Sequence, residues 1–463
     1  LCYPVTMVVH RASRMMLGTL HSGARTKSLS YHLMVENGLI HPASRGLFSI
    51  LPLGEFMLIR VTLKFSVLFF LKTNFFSFFD RVVDKLVRLI EDELNAIGAF
   101  KMSMPVLGSK ELWTTVGRWD KIGAEIFRVT DREGKQFCLQ PTAEEMIAQI
   151  AAQRGVRRRT MFPFMVYQTT PKFRDEMSPR FGLLRSREFL MNDLYSFDLC
   201  EENALKTYDL IAQAYRRILQ NELQFEVRVV RADSGQIGGA VSHEYHLPSD
   251  SGEDAITFCE KCAKGVNAEL SRRGEKPCSE CNEQCTKVIP SVEIAHTFQL
   301  GDLFTRSLGA RYQKVPMVMN CYGLGIGRII AASIDVLSPD ENSLRLPLAI
   351  QPFKIVVIPP SDSSQYSSEL LAYAESLVEQ LDLNANLHNE VFFDDRTDYS
   401  IGKRVLLAAQ LGIAHIVVVG ARSASVFTCR PMVEYLTIEN HHADPINMGM
   451  LSHNELFELV THI

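Results

Sequence analysis

From Arg81 to Ile97 the apolar residues Val82, Val83, Leu86, Leu89, Ile90 and Leu94 recur every three or four positions, which predicts one amphipathic helix. Gly98 should end it, and "FKMSMPVL" (Phe100 to Leu107) reads as the strand that follows. Between Glu125 and Gln140 apolar and polar residues alternate about a turn at Glu133 and Gly134, the pattern of a hairpin. Helical spacing returns at Ala143 to Arg154 and Glu201 to Leu223, and strands are expected near Phe225 to Ala232. From Phe353 onwards "FKIVVIPP", a helix through Leu381, "EVFFDD", a helix from Ile401 to Leu411 and "HIVVVG" alternate strand with helix. That alternation predicts a compact α/β unit with largely parallel strands, joined to the rest near Leu348 to Gln351.

One run fits neither period: "FMLIRVTLKFSVLFFLKTNFFSFF", Phe56 to Phe79. Arg60, Lys64 and Lys72 cut it into pieces far shorter than the ~20 apolar residues of a membrane span, so no membrane partner is expected. Without residues 60–80 the segment "LPLGE" would lead directly into the amphipathic helix. The run therefore reads as a spurious insert of translated intron sequence.

Composition narrows the picture little. The chain has 463 residues, 46% hydrophobic and 22% charged, enough for more than one buried core. A net charge of −4 excludes a basic nucleic-acid coat, so any contact with RNA must use local patches such as "RGVRRR", Arg154 to Arg159. The first 35 residues hold Arg11, Arg14, Arg25 and Lys27 but no Asp or Glu, and residues 1–30 are expected to be an organellar transit segment.

Two stretches carry chemistry. "KFRDEMSPRFGLLRSREFLMND" (Lys172 to Asp193) crowds arginines, carboxylates and phenylalanines without a helical period, and reads as strand, loop, strand. Arg174 can clamp a phosphate or carboxylate through two parallel hydrogen bonds, Phe189 offers a flat apolar face to a base, and Glu176 can accept from an exocyclic amine. In "CYGLGIGR" the glycines 323, 325 and 327 alternate, one position short of a dinucleotide-binding loop at the third glycine. Strict alternation strips one face of a strand so that a flat ligand can lie against backbone, with Arg328 at the following helix start to meet phosphate. Apart from these, Cys259, Cys262, Cys278 and Cys281 have zinc-ribbon spacing, with Cys285 just beyond. Either a structural zinc or reduced thiols fits them, and disulfides are not expected in a reducing compartment.

Taken in order, "GAFKMSMPVL" (Gly98 to Leu107), the arginine-rich stretch and the alternating glycines resemble motifs 1, 2 and 3 of the class II aminoacyl-tRNA synthetases. "LQPTAEEMI" (Leu139 to Ile147), "GGAVSHEYHL" (Gly238 to Leu247), "EIAHTFQLGD" (Glu293 to Asp302) and "DDRTDYSIGKR" (Asp394 to Arg404) resemble the prolyl-tRNA synthetases, in particular the bacterial-type enzymes of mitochondria. The resemblance spans roughly residue 30 to the C-terminus, apart from the Phe-rich run. It implies an α+β catalytic domain over 31–348, an antiparallel sheet with flanking helices, followed by an α/β anticodon-binding domain over 351–463.

The resemblance also implies roles. Thr142 and Glu144 would face the secondary amine of proline, with His296, Phe298 and Cys321 walling its small pocket. Arg174 would bridge the proline carboxylate and the α-phosphate of ATP, which enters with Mg²⁺. Glu176 and Phe189 would read and stack the adenine, with Arg185 beside them, Gly323, Gly325 and Gly327 beneath, and Arg328 and Gln299 at the far end of the ATP. Pro105 would lie at the interface of a homodimer, tRNA(Pro) would be the partner, and the mitochondrial matrix the location, with the cytoplasm as the alternative. The Cys-rich insert (250–290) stands where many bacterial relatives carry an editing domain, and it is too short to hold one. Two other readings stay open: a class II synthetase for another amino acid, or a non-catalytic accessory subunit.

Overall fold

The periodic segment after the Phe-rich run folds as a helix over Phe78–Ala96 (α1) in the computed structural model, burying Val82, Leu86, Ile90 and Leu94. Gly98 ends it at φ +86°, a left-handed conformation that glycine adopts without strain. The structure describes residues 10–12, 28–37, 39–50, 78–154, 158–250, 252–278, 281, 286–364, 367–424, 432–438 and 444–461. Most of the Phe-rich run and the middle of the "RGVRRR" patch therefore lie outside the described residues. Among those described, no helix is long and apolar enough to cross a membrane.

Nine strands form the first sheet. They are β1 (Phe100–Lys101), β2 (Phe164–Phe173), β3 (Glu188–Asp198), β4 (Arg228–Ala232), β5 (Val241–Pro248), β6 (Asp254–Cys259), β7 (Lys264–Asn267), β8 (Thr286–Gly301) and β9 (Val318–Gly325). Their spatial order is β5-β4-β7-β6-β8-β9-β3-β2-β1, antiparallel except at β4–β7 and β1–β2. The long strand β8 pairs first with β6 and then with β5, so one end of the sheet curls back on itself. This is the antiparallel catalytic sheet expected from the resemblance.

Strand parity decides what each face does. On β9, Tyr322 and Leu324 point into the main core, where they meet α1, α3 (Glu201–Arg216) and α4 (Ile326–Leu337). Cys321, Gly323 and Gly325 point the other way. A further helix, α2 (Glu144–Arg154), sits on that second face and packs Ile147, Ala148 and Ala151 against Phe298 and Cys321.

Two local expectations change, and a third holds with a change of helix type. The strand predicted over Phe100–Leu107 is two residues long, because Pro105 has no N–H to continue a ladder and Met104 N is taken by Gln168 Oε1 at 3.0 Å. Gly327 lies in the first turn of α4 rather than in the strand. The helix from Glu201 continues past Arg216 as a π-helical segment, Arg217–Glu222.

The second unit has the predicted alternation. Strands β10 (Ile355–Ile358), β11 (Val391–Phe393) and β12 (His415–Val418) are parallel, and β13 (Met432–Thr437) and β14 (Ile446–Ser452) extend the sheet antiparallel. Every residue of β10 is buried, as expected of a central strand covered by helices on both faces. His10–Arg11 adds an edge strand beside Phe392 and Phe393, and Arg11 reaches Glu375 at 2.9 Å. Part of the segment expected as a transit peptide is therefore a strand of this sheet. Lys85 of α1 pairs with Glu390 at 2.5 Å, tying the two units together.

Candidate active site

A cleft of about 430 Å³ opens on the second face of β2, β3, β8 and β9. The ladder register lays its floor in rows. Tyr195, Cys321 and Phe298 lie side by side across β3, β9 and β8, and Asp193, Gly323 and His296 form the next row. A Cβ added at Gly323 would meet nothing closer than Met191 Sδ at 3.4 Å, so the missing side chain leaves open cleft rather than relieving a clash.

At one end, the start of α2 presents Thr142 and Glu144, both buried. Thr142 Oγ1 lies 2.7 Å and 2.6 Å from the two Glu144 oxygens. Ala143 N donates to Tyr195 Oη at 3.1 Å, and Tyr195 Oη donates to Asp193 Oδ2 at 2.7 Å. Asp193 in turn takes hydrogen bonds from Lys172 Nζ at 2.7 Å and Gln168 Nε2 at 2.8 Å. The segment around Thr142 is therefore anchored through the floor to a buried ion pair. Beside Glu144, Arg118 Nη1 donates to Glu145 Oε1 at 2.6 Å, and its guanidinium lies 5.1 Å from the Trp113 ring centre and 5.5 Å from that of Phe304. Burial pushes the Glu145 carboxyl up to about 7 against the opposing pull of Arg118. A buried carboxylate above a small floor of Cys321, Phe298 and Tyr195 suits a compact ligand with one cationic group and an apolar body.

The other end is cationic. Arg174 lies over Phe189 at 5.2 Å. Arg328 donates from Nη1 to Glu293 Oε2 at 3.0 Å and from Nε to Leu184 O at 3.0 Å. Burial and the Arg328 charge both work against the Arg174 cation, and an anion between the two would relieve that cost. Arg185 joins Glu176 at 2.9 Å and Glu253 at 3.1 Å.

Between the two ends, His296 stacks on Phe298 with ring centres 3.9 Å apart, and its Nδ1 lies 3.1 Å from Glu293 Oε1. Its Nε2 is buried with no hydrogen-bond partner among the described residues. Burial would raise the Glu293 carboxyl, but the bond to His296 and the charge of Arg328 outweigh it and hold Glu293 below the usual carboxylate range.

The cleft thus gathers Thr142, Glu144, Arg174, Glu176, Arg185, Phe189, His296, Phe298, Cys321, Gly323, Gly325, Gly327 and Arg328. Gln299 is the exception. It alternates with the cleft-facing Phe298 and shares the face of Thr297, which bonds Tyr208 of α3 at 2.5 Å. Pro105 stands outside the cleft, near exposed Phe100 and Leu107. Sequence reasoning missed Arg118, Tyr195 and Glu293, and gave Glu244 no task. Arg118 sits in "VGRWDK", which has no signal of burial, whereas Glu293 lies in a quoted segment where only its partners reveal it.

The cysteines also converge. Cys259, Cys262 and Cys281 bring their sulfurs within 4.8 Å of one another, and Cys278 interacts with Cys262 and Cys281. Cys285 lies outside the described residues.

Comparison with known proteins gives the family. Residues 127–337 match the tRNA synthetase class II core domain (G, H, P, S and T), and residues 354–433 match an anticodon binding domain. The chain is 39% identical over 402 residues to the probable mitochondrial proline–tRNA ligase of Homo sapiens, covering 85% of this chain and 78% of the relative. It is 33% identical over 432 residues to the probable mitochondrial proline–tRNA ligase of Schizosaccharomyces pombe, covering 92% of this chain and 93% of that relative. Among solved structures, a Giardia lamblia prolyl-tRNA synthetase in complex with prolyl-adenylate superposes with a TM-score of 0.69 at 16% identity, over 92% of this chain and 76% of the other.

Proposed function

The chain belongs to the class II prolyl-tRNA synthetases, and we propose that it joins proline to tRNA(Pro) through a prolyl-adenylate. The observation that carries this reading is the pairing of one buried carboxylate, Glu144 with its Thr142 hydroxyl, and the Arg174–Phe189 pair in a single cleft. Glu144 receives the proline ammonium over the Cys321–Phe298 floor. Arg174 holds the proline carboxylate beside the α-phosphate, and Phe189 stacks the adenine. The proline carboxylate oxygen attacks the α-phosphorus, pyrophosphate leaves, and the terminal ribose hydroxyl of tRNA then takes the prolyl group, releasing AMP. Positioning and charge neutralisation by Arg174 and Arg328 lower both barriers.

Glu244 and Glu293 would hold Mg²⁺, for their oxygens and the His296 nitrogen lie within 4.8 Å of one another and carboxylates suit that ion. When bound, the ion would neutralise charge on the phosphates. Cys259, Cys262, Cys278 and Cys281 would hold a structural zinc. The exposed Pro105 edge would form a homodimer interface, the insert would supply no editing in cis, and the protein would act in mitochondria, as its relatives' descriptions suggest. An accessory subunit is disfavoured because Glu144, Arg174 and Arg328 all reach the cleft. Charging of tRNA(Pro) transcript with labelled proline tests the proposal. Prolyl-tRNA should accumulate with the parent chain and not with Arg174→Ala; charging with a different amino acid would overturn it.

A further inference from the structure

Strand β6 has a cysteine at one end and, just before the other, a glutamate that touches Arg185 of the cleft. Its register with β8 runs from Asp254 opposite Ser291 to Cys259 opposite Thr286. At the cysteine end, β6 turns into β7, and the chain later returns through Cys278 and Cys281 to enter β8. The sulfurs of Cys259, Cys262 and Cys281 come within 4.8 Å of one another there, Cys278 interacts with Cys262 and Cys281, and Cys259 is fully buried. At the cleft end, a Cβ on Gly252 would fall 2.4 Å from Ser291 O, so the backbone is pinned against β8 just before Glu253. Glu253 Oε1 lies 2.5 Å from Arg180 Nε and its Oε2 lies 3.1 Å from Arg185 Nη1. Arg185 is the arginine that also pairs with Glu176 at 2.9 Å. The two arginines and Glu176 belong to the loop between β2 and β3.

We propose that zinc bound by Cys259, Cys262, Cys278 and Cys281 clamps the far end of the β6–β8 ladder and thereby holds Glu253 against Arg185, so that the metal tunes the nucleotide end of the cleft and not the proline end. Four cysteines in two C-x2-C pairs match the ligand set of tetrahedral zinc, which closes short inserts that bury too little to stay folded alone. Rigidity along β6 carries the constraint: fraying at Cys259 loosens the pairing that fixes Glu253. Glu269 of the short helix Ala268–Arg272 also lines the cleft, so the insert supplies wall as well as restraint. The inference rests on the proposed zinc and nucleotide sites.

The test uses the full chain with ATP–pyrophosphate exchange and zinc measured by elemental analysis. The parent should hold about one zinc per chain. The double variant Cys278→Ser/Cys281→Ser should lose it and raise the KM for ATP about tenfold, the size of one charge-assisted contact, with the KM for proline unchanged. Glu253→Gln should give the same rise while retaining zinc, which keeps the test open even if the cysteine variant does not fold. A parent free of zinc would overturn the metal site and the inference together. Zinc lost with the ATP KM unchanged, or Glu253→Gln without effect, would overturn the coupling alone. Loss of proline-dependent exchange in the parent would instead overturn the proposed function.

Discussion

Arg118 Nη1 stands 2.6 Å from Glu145 Oε1 and 3.5 Å from Glu144 Oε2, so one buried guanidinium serves two carboxylates. Glu145 takes the closer contact. Glu144 is left with its Thr142 hydrogen bonds and a share of the Arg118 charge, which leaves its oxygens available to a second cation from the cleft.

This arrangement predicts a specific double-variant outcome. Arg118→Met strands two buried carboxylates and should cost about 3–5 kcal/mol of stability, because an unpaired buried charge is heavily penalised. In folded protein at lower temperature, the KM for proline should rise while that for ATP stays near the parent value. Adding Glu145→Gln removes the surplus negative charge and should restore part of the melting temperature. Equal losses in the single and double variants would show that the shared guanidinium is not what matters.

Gly323→Ala probes the floor. Since the new methyl would meet only the end of the Met191 side chain, at 3.4 Å and 3.8 Å, the melting temperature should hardly move. The methyl would nevertheless stand in the cleft between Asp193 and His296, and exchange activity should fall at least tenfold. A large loss of stability would contradict the view that this glycine serves the ligand rather than the fold.

The segments that resembled a family were legible because their chemistry is local. The Thr142–Glu144 pair, the Arg174–Phe189 pair and the glycines at 323 and 325 each stand out within a few adjacent residues, and all of them line the cleft. Gln299 was not separable from its neighbours because a strand hides parity: His296 and Phe298 face the cleft, and only the register puts Gln299 on the opposite face with Thr297. Arg118 and the Lys172–Asp193 pair failed for a different reason. A charged residue in a loop or strand looks solvated until tertiary contacts bury it, and Lys172 is only 2% exposed. The two-domain division was legible from the change of period near Leu348, but nothing in the sequence joined His10–Arg11 to a sheet nearly 400 residues away.

Away from the cleft, Asp198 predicts a pH effect on stability. Burial, opposed by the Thr207 hydrogen bond at 3.0 Å, pushes its carboxyl from 3.8 up to about 6. The native chain therefore binds more protons than the unfolded chain between those values, and this group's contribution to stability falls as pH rises through that window. Asp198→Asn should mimic the protonated form. Its melting temperature should exceed the parent's at pH 7, and the gap should close as the pH falls towards 4. A gap independent of pH would show that the charge of Asp198 is not the cause.

In the proposed reaction one cleft reads proline through Glu144 and activates it beside Arg174. ATP–pyrophosphate exchange, run with each amino acid in turn on the parent, Glu144→Gln and Arg174→Ala, tests it most directly. Exchange should depend on proline, with Glu144→Gln raising the KM for proline at least tenfold and Arg174→Ala abolishing turnover. Exchange supported equally by another amino acid, or a Glu144→Gln variant with the parent's KM for proline, would contradict the account.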